Sequence, residues 1–140
     1  MDSIVDAELY NSGVLRFLHQ ELNLKREIRA VRSILGPGTH RVLDIGCGTG
    51  WTSAFWRDHG FDVTGLEPSP ARRAVAEERY GLPVIGSYLE DAVIKQKYDL
   101  VILRHIIEHF EAPKDLLAKA GEFVAPGGLL LVVVPNIKCL

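Results

Sequence analysis

Five short apolar runs, "RVLDIG", "FDVTGLE", "LPVIG", "YDLVILR" and "LLLVVVP", recur along the chain of 140 residues. Helical patterns precede the first run, separate the first three and separate the last two. Alternation of this kind is the signature of a parallel sheet covered by helices. From Glu21 to Leu35 the residues Leu24, Ile28, Val31 and Leu35 fall at helical spacing, and "GPG" at 36–38 stops the helix. A second helix is expected from about Thr52 to His59, with Gly60 as its stop. In "PSPARRAVAEERYG", Ser69 supplies an N-cap, Pro70 takes the first helical position and Gly81 ends the helix. The last helix, within "EAPKDLLAKAGEFVAPGG", has Leu116, Leu117, Ala120, Phe123 and Val124 on one face, Pro113 near its start and "PGG" as its stop. "LPVIG" belongs at a sheet edge, because Pro83 has no N–H to give a neighbouring strand.

With right-handed crossovers this order predicts an α/β fold, a doubly wound, mostly parallel Rossmann-like sheet of about five strands with helices on both faces. Its ligand crevice lies at the carboxyl ends of the central strands. Residues 1–36 are expected to form an N-terminal helical segment acting as a lid, and residues 37–140 the core. A formal charge of -2 supplies no broad cationic field, so neither nucleic acid nor an anionic membrane is an expected partner. The neighbouring Arg72 and Arg73 read as a solvated helix face. Cys47 and Cys139 have no disulfide or zinc-ligand spacing, which suits a reducing compartment. The N-terminus lacks a signal-peptide pattern, and the longest apolar run, Leu129 to Val134, is too short to cross a bilayer. The expectation is a cytoplasmic protein.

"VLDIGCGTGWTSAFW" places Gly46, Gly48 and Gly50 between a strand and a helix. Such glycines let the backbone turn tightly and approach a ligand, while the helix start offers free N–H groups. The same spacing also serves plain turns. Two acidic residues point toward a nucleotide-like ligand: Asp44 at the end of the first strand, and Glu67 closing the second, where a carboxylate can accept hydrogen bonds from ribose hydroxyls.

Taken in order, "VLDIGCGTG", "VTGLEPSP", "YDLVILRHIIEHFEAP" and "LLAKAGEFVAPGGLLLVVVPN" resemble the successive motifs of the class I S-adenosylmethionine-dependent methyltransferases. They are most similar to the small-molecule group that includes the ubiquinone-biosynthesis O-methyltransferases. The resemblance runs from about Arg41 to Asn136 and rests on four motifs in order at family spacing. An alternative for the same loop is a nicotinamide or flavin dinucleotide site in an oxidoreductase. That fingerprint is G-x-G-x-x-G; here the third glycine comes one residue early and Trp51 takes its place. A third alternative is a cofactor-binding module without catalysis.

The resemblance implies that the backbone at Gly46, Cys47, Gly48 and Gly50 holds the methionine portion of S-adenosyl-L-methionine, with Asp44 fixing the loop. It implies that Glu67 grips the ribose, that Pro68 and Ser69 lie on the adenine side, and that Ser87, Tyr88 and Leu89 face the ring. The family often has an aspartate where this chain has Ser87, leaving Glu90, Asp91 or the backbone to read adenine. Arg104 and His105 would face the sulfonium. The reaction would leave S-adenosyl-L-homocysteine and methylate a small-molecule acceptor, at oxygen, nitrogen or carbon. "RHII" differs from the Asn/Asp-Pro-Pro-aromatic element of the nucleobase-amine enzymes, which argues against a nucleobase amine.

His105 and His109 are the candidate catalytic bases, since imidazole titrates near neutrality. They also fall in His-x-x-Glu-His, an inverted zinc-protease signature. "LVILR" runs into His105 as a strand, so no single helix presents both rings, and no metal site is expected. Tyr10 and Phe17 are candidates to line an acceptor pocket, or else helix-packing residues. Family members usually continue past the fifth strand, so the ending "PNIKCL" suggests a fragment of a longer protein. The fifth strand would then be an open apolar edge, favouring self-association as a dimer.

Overall fold

The computed structural model describes residues 13–136. The chain divides between Gly36 and Pro37 into two compact units. Among the described residues the first contains one helix, α1 (Gly13–Leu35), of 23 residues. It begins at Gly13 rather than near Glu21, since nothing between the two positions breaks a helix. Phe17 lies on this helix and is 44% exposed; Tyr10 and Cys139 lie outside the described residues.

In the second unit the elements run β1 (Arg41–Ile45), α2 (Trp51–Asp58), β2 (Asp62–Leu66), α3 (Pro70–Tyr80), β3 (Val84–Ile85) and β4 (Tyr98–Arg104). A 3-10 turn (Ile107–His109), α4 (Pro113–Gly121) and β5 (Val124–Val133) follow. The strand order is β3-β2-β1-β4-β5 and every pairing is parallel. The chain winds outward from β1 to β3, then returns to the other side of β1 with β4. The topological switch point therefore falls between β1 and β4, and a crevice is expected outside their carboxyl ends.

Side chains alternate between faces along a strand. On one face Leu43 and Ile45 join Val101 and Leu103 of β4 and pack with Leu116 and Ala120 of α4. Asp44 points to the other face, where it meets Ser53 of α2. Helices thus cover both faces, as the sequence pattern predicts. Trp56 of α2 is fully buried and meets Phe61 edge-on at 4.9 Å between ring centroids. Its indole N–H has no acceptor among the described residues, a cost of about 1–3 kcal/mol, offset by the apolar area its rings bury.

The punctuation of α3 follows the sequence. Ser69 Oγ accepts from the Arg72 N–H at 3.4 Å, Pro70 opens the helix, and Gly81 closes it in the left-handed region. The end of α4 departs from it. Phe123 and Val124 are not helical: α4 stops at Gly121, Phe123 packs in the core beyond it, and Val124 opens β5 opposite Tyr98. From 98 to 100 in β4 the partner strand advances from 124 to 129, so "APGG" forms an irregularity inside β5.

Candidate functional site

The turn after β1 is built by close approach. Gly46 adopts φ 70°, and a Cβ there would lie 2.5 Å from Ile106 Cδ1. The Gly46 and Cys47 N–H groups donate to the Leu66 carbonyl at 2.7 and 3.2 Å, fastening the turn to the end of β2. Gly50 precedes α2 with φ 88°, and a Cβ on it would sit 2.8 Å from both Ala76 Cβ and Leu82 Cδ1. Its role is to let α2 approach α3.

Asp44 is buried beneath this turn and accepts the Ser53 hydroxyl proton at 2.5 Å. Burial pushes its carboxyl up to about 6, against the opposing pull of the Ser53 hydrogen bond and the Arg104 charge. Cys47 is buried as well, and its Sγ fills the space over Gly65, where a Cβ would lie 2.5 Å away. Burial, then the charges of Asp44 and Glu67, raise the Cys47 thiol to about 12 and keep it protonated.

Glu67, immediately after β2, is 3% exposed. Its Oε2 accepts from the Gly48 N–H at 3.0 Å and its Oε1 from the Ser69 N–H at 3.0 Å. The carboxylate therefore pins the glycine turn to the start of α3. Arg72 Nη1 stands 3.9 Å from Oε1.

A cleft of about 450 Å³ opens at the carboxyl ends of the strands. Gly46, Glu67, Pro68, Ser87, Tyr88, Leu89, Arg104, His105 and His109 line it, all of them residues singled out in the sequence. Asp44, Cys47, Gly48, Gly50 and Ser69 are absent from its lining; Asp44, Gly48 and Ser69 instead bond to Ser53 and Glu67, holding up its walls. Sequence reasoning missed Ile106, Phe110 and Leu116, which supply apolar wall, and Arg72, which reaches into the cleft instead of standing only in solvent. Glu90 lines the cleft and Asp91 does not.

His105 has φ 54°, unusual for a residue with a side chain. Its N–H donates to the Val133 carbonyl at 2.8 Å, and its Nδ1 stands 3.9 Å from Glu108 Oε1. Strained backbone of this kind gathers where surrounding structure holds it for use. His109 sits in the 3-10 turn, so strand end and turn present the two imidazoles separately. Among the described residues no three His, Cys, Asp or Glu side chains converge as a metal site.

A methyltransferase domain family matches residues 8–140. The chain belongs to that family. It is 32% identical over 116 residues to a ubiquinone biosynthesis O-methyltransferase of Azorhizobium caulinodans, an alignment covering 79% of this chain and 45% of that protein. To the ubiquinone biosynthesis O-methyltransferase of Photorhabdus laumondii it is 36% identical over 98 residues, or 63% of this chain and 40% of the other. The chain spans about half the length of the curated relatives it matches. Among solved structures, a sugar N-methyltransferase from Streptoalloteichus sp superposes with TM-score 0.69 at 30% identity, over 84% of this chain and 49% of that one. An S-adenosylmethionine-bound amino pentose methyltransferase from Micromonospora echinaspora gives TM-score 0.73 at 23% identity, over 88% and 56%, a likeness of fold. The sheet is thus the Rossmann-like sheet of the class I methyltransferases, and the family match sets the dinucleotide oxidoreductase aside.

Proposed function

We propose that the cleft binds S-adenosyl-L-methionine and that this chain carries the cofactor-binding part of an enzyme that methylates a small molecule. Glu67 carries the reading. A carboxylate offers about four acceptor positions; the Gly48 and Ser69 amides take one on each oxygen. About two remain on a buried, rigidly held group that lines the cleft, which matches a pair of neighbouring ribose hydroxyls. Gly46 offers bare backbone to the methionine portion, and Leu89, Ile106 and Phe110 supply apolar surface for a flat heterocycle beside Ser87 and Tyr88.

Bound there, the cofactor supplies a methyl group activated by a sulfonium for in-line displacement. The chain's own contribution is orientation. Glu67 holds the glycine turn through the Gly48 N–H, Asp44 ties the end of β1 to α2 through Ser53, and Arg104 and His105 stand at the end of β4. For a hydroxyl acceptor, His105 or His109 accepts the leaving proton at an imidazole nitrogen. The similar proteins are named as an O-methyltransferase of ubiquinone biosynthesis and a sugar N-methyltransferase, so the acceptor is assigned only as a small molecule. A reducing cytoplasm suits the free Cys47 thiol, and the place of β5 at the sheet edge among the described residues supports self-association.

Thermal-shift titrations with S-adenosylhomocysteine, S-adenosylmethionine and NAD, repeated on Glu67→Ala, test the reading. A ligand at about 100 times its dissociation constant stabilises the fold by about 2.7 kcal/mol, several degrees for a domain of this size. A shift with the first two ligands that vanishes in Glu67→Ala is the expected result. A shift with NAD alone, or none with any ligand, sinks the proposal. Binding without turnover on any acceptor would leave a cofactor-binding module.

A further inference from the structure

Arg73 lies outside the cleft lining and yet makes specific contacts with two segments that form it. It lies early in α3, half-buried, and its Nη1 donates to the Glu67 carbonyl at 3.2 Å and the Pro68 carbonyl at 3.1 Å. The same guanidinium covers Gly86, just past β3, where a Cβ would come within 2.6 Å of both Cζ and Nη1. Gly86 does not occupy the left-handed region, so this contact is what a side chain there would disturb. β3 has only two residues, Val84 and Ile85, paired to β2. Strand pairing alone therefore holds the following turn weakly.

From these contacts we infer that Arg73 is a positioning residue, which locks the turn after β3 to the end of β2 and so holds the nucleoside side of the cleft in shape. The two segments it joins carry Glu67 and Pro68 on one side and Ser87, Tyr88 and Leu89 on the other, all of which line the cleft. The inference rests on the cofactor reading for the nature of the ligand; the lock itself concerns only the two turns. A planar guanidinium can bond two carbonyls and lie flat on bare backbone at once, whereas an ammonium acts as a point charge. Lysine is thus a poor substitute at this position.

The test compares the unaltered chain with Arg73→Ala, Arg73→Lys, Gly86→Ala and the Arg73→Ala/Gly86→Ala pair. Calorimetric titration with S-adenosylhomocysteine and with adenosine is read beside amide hydrogen exchange over 86–89. Gly86→Ala pushes the guanidinium aside and so imitates Arg73→Ala. Each single variant should bind both ligands about tenfold more weakly, the scale of one lost hydrogen bond to a charged group. Exchange at Ser87 to Leu89 should quicken while that of β1 and β4 stays slow, and the double variant should be no worse than either single one. Unchanged affinity and exchange in Arg73→Ala, or additive losses in the pair, overturn the inference. If the unaltered chain binds neither ligand the cofactor reading falls, and the exchange pattern alone then decides for or against the lock. Gly86→Ala removes no buried group, and it carries the test should Arg73→Ala fail to fold.

Discussion

Asp44 is buried and pairs with a neutral hydroxyl, and its protonation is therefore coupled to folding. Its carboxyl rises from 3.8 to about 6, chiefly through burial. A raised carboxyl means that the folded chain binds more protons than the unfolded one between those values. The associated stability is fully present below about pH 4 and is lost as the pH rises through about 6, in total roughly 3 kcal/mol. Asp44→Asn keeps an acceptor for the Ser53 hydroxyl and has no charge to bury. Urea unfolding of both chains should show the variant gaining roughly 3 kcal/mol on the parent between pH 4 and 7.5; a constant difference would refute the coupling. The sequence disclosed Asp44 and Glu67 because each sits at a strand end beside a glycine turn or a helix cap, where local pattern marks position. Ser53 and Arg73 were illegible, since each acquires its role from a partner on another element. An arginine pair on a helix reads the same from sequence whether it faces solvent or wedges between two turns.

Among the elements, the α2/α3 contact depends on one position without a side chain. Gly50→Ala would put a methyl 2.8 Å from Ala76 Cβ and 3.1 Å from its Cα, atoms that cannot swing away, at φ 88°. Left-handed strain of about 1–2 kcal/mol and overpacking of about 1–3 kcal/mol should together cost roughly 2–5 kcal/mol in urea unfolding. Gly48→Ala, at φ 59° with nothing within 4 Å, should pay the strain alone, about 1–2 kcal/mol. Equal losses in the two variants would rule out the packing role of Gly50. Elements with chemical punctuation were readable: α3 carries Ser69, Pro70 and Gly81 where cap geometry demands them. The α4/β5 boundary was not, because Phe123 and Val124 continue the helical apolar period by chance while strand pairing with Tyr98 claims Val124. Propensity and period are local, and the pairing that overrides them is not.

At the scale of the molecule, five apolar runs and their order were enough to anticipate a parallel doubly wound sheet with its crevice at the switch point, because few topologies satisfy right-handed crossovers. The acceptor was not legible, since no local pattern in the sequence encodes an acceptor's shape, which depends on residues that the fold gathers from separate segments. Among the described residues that order also leaves β5 at a sheet edge, with Val132 and Val134 36% and 53% exposed. Unpaired edges of apolar strands recruit another chain unless a charge or covering segment blocks them. Two copies meeting by a twofold axis would pair β5 with β5 antiparallel and join two sheets into one. Light scattering on a concentration series should therefore reveal a dimer, and Val132→Lys should return it to monomer by setting like charges beside each other across the paired strands. The cofactor cleft lies at the carboxyl ends of the strands, away from the edge-to-edge seam, so Val132→Lys should keep the S-adenosylhomocysteine dissociation constant of its parent within about twofold, well under the tenfold that 1.4 kcal/mol represents. A parent chain that stays monomeric throughout the series would remove the pairing from the account, whereas a dimer unaffected by Val132→Lys would move the interface to another surface.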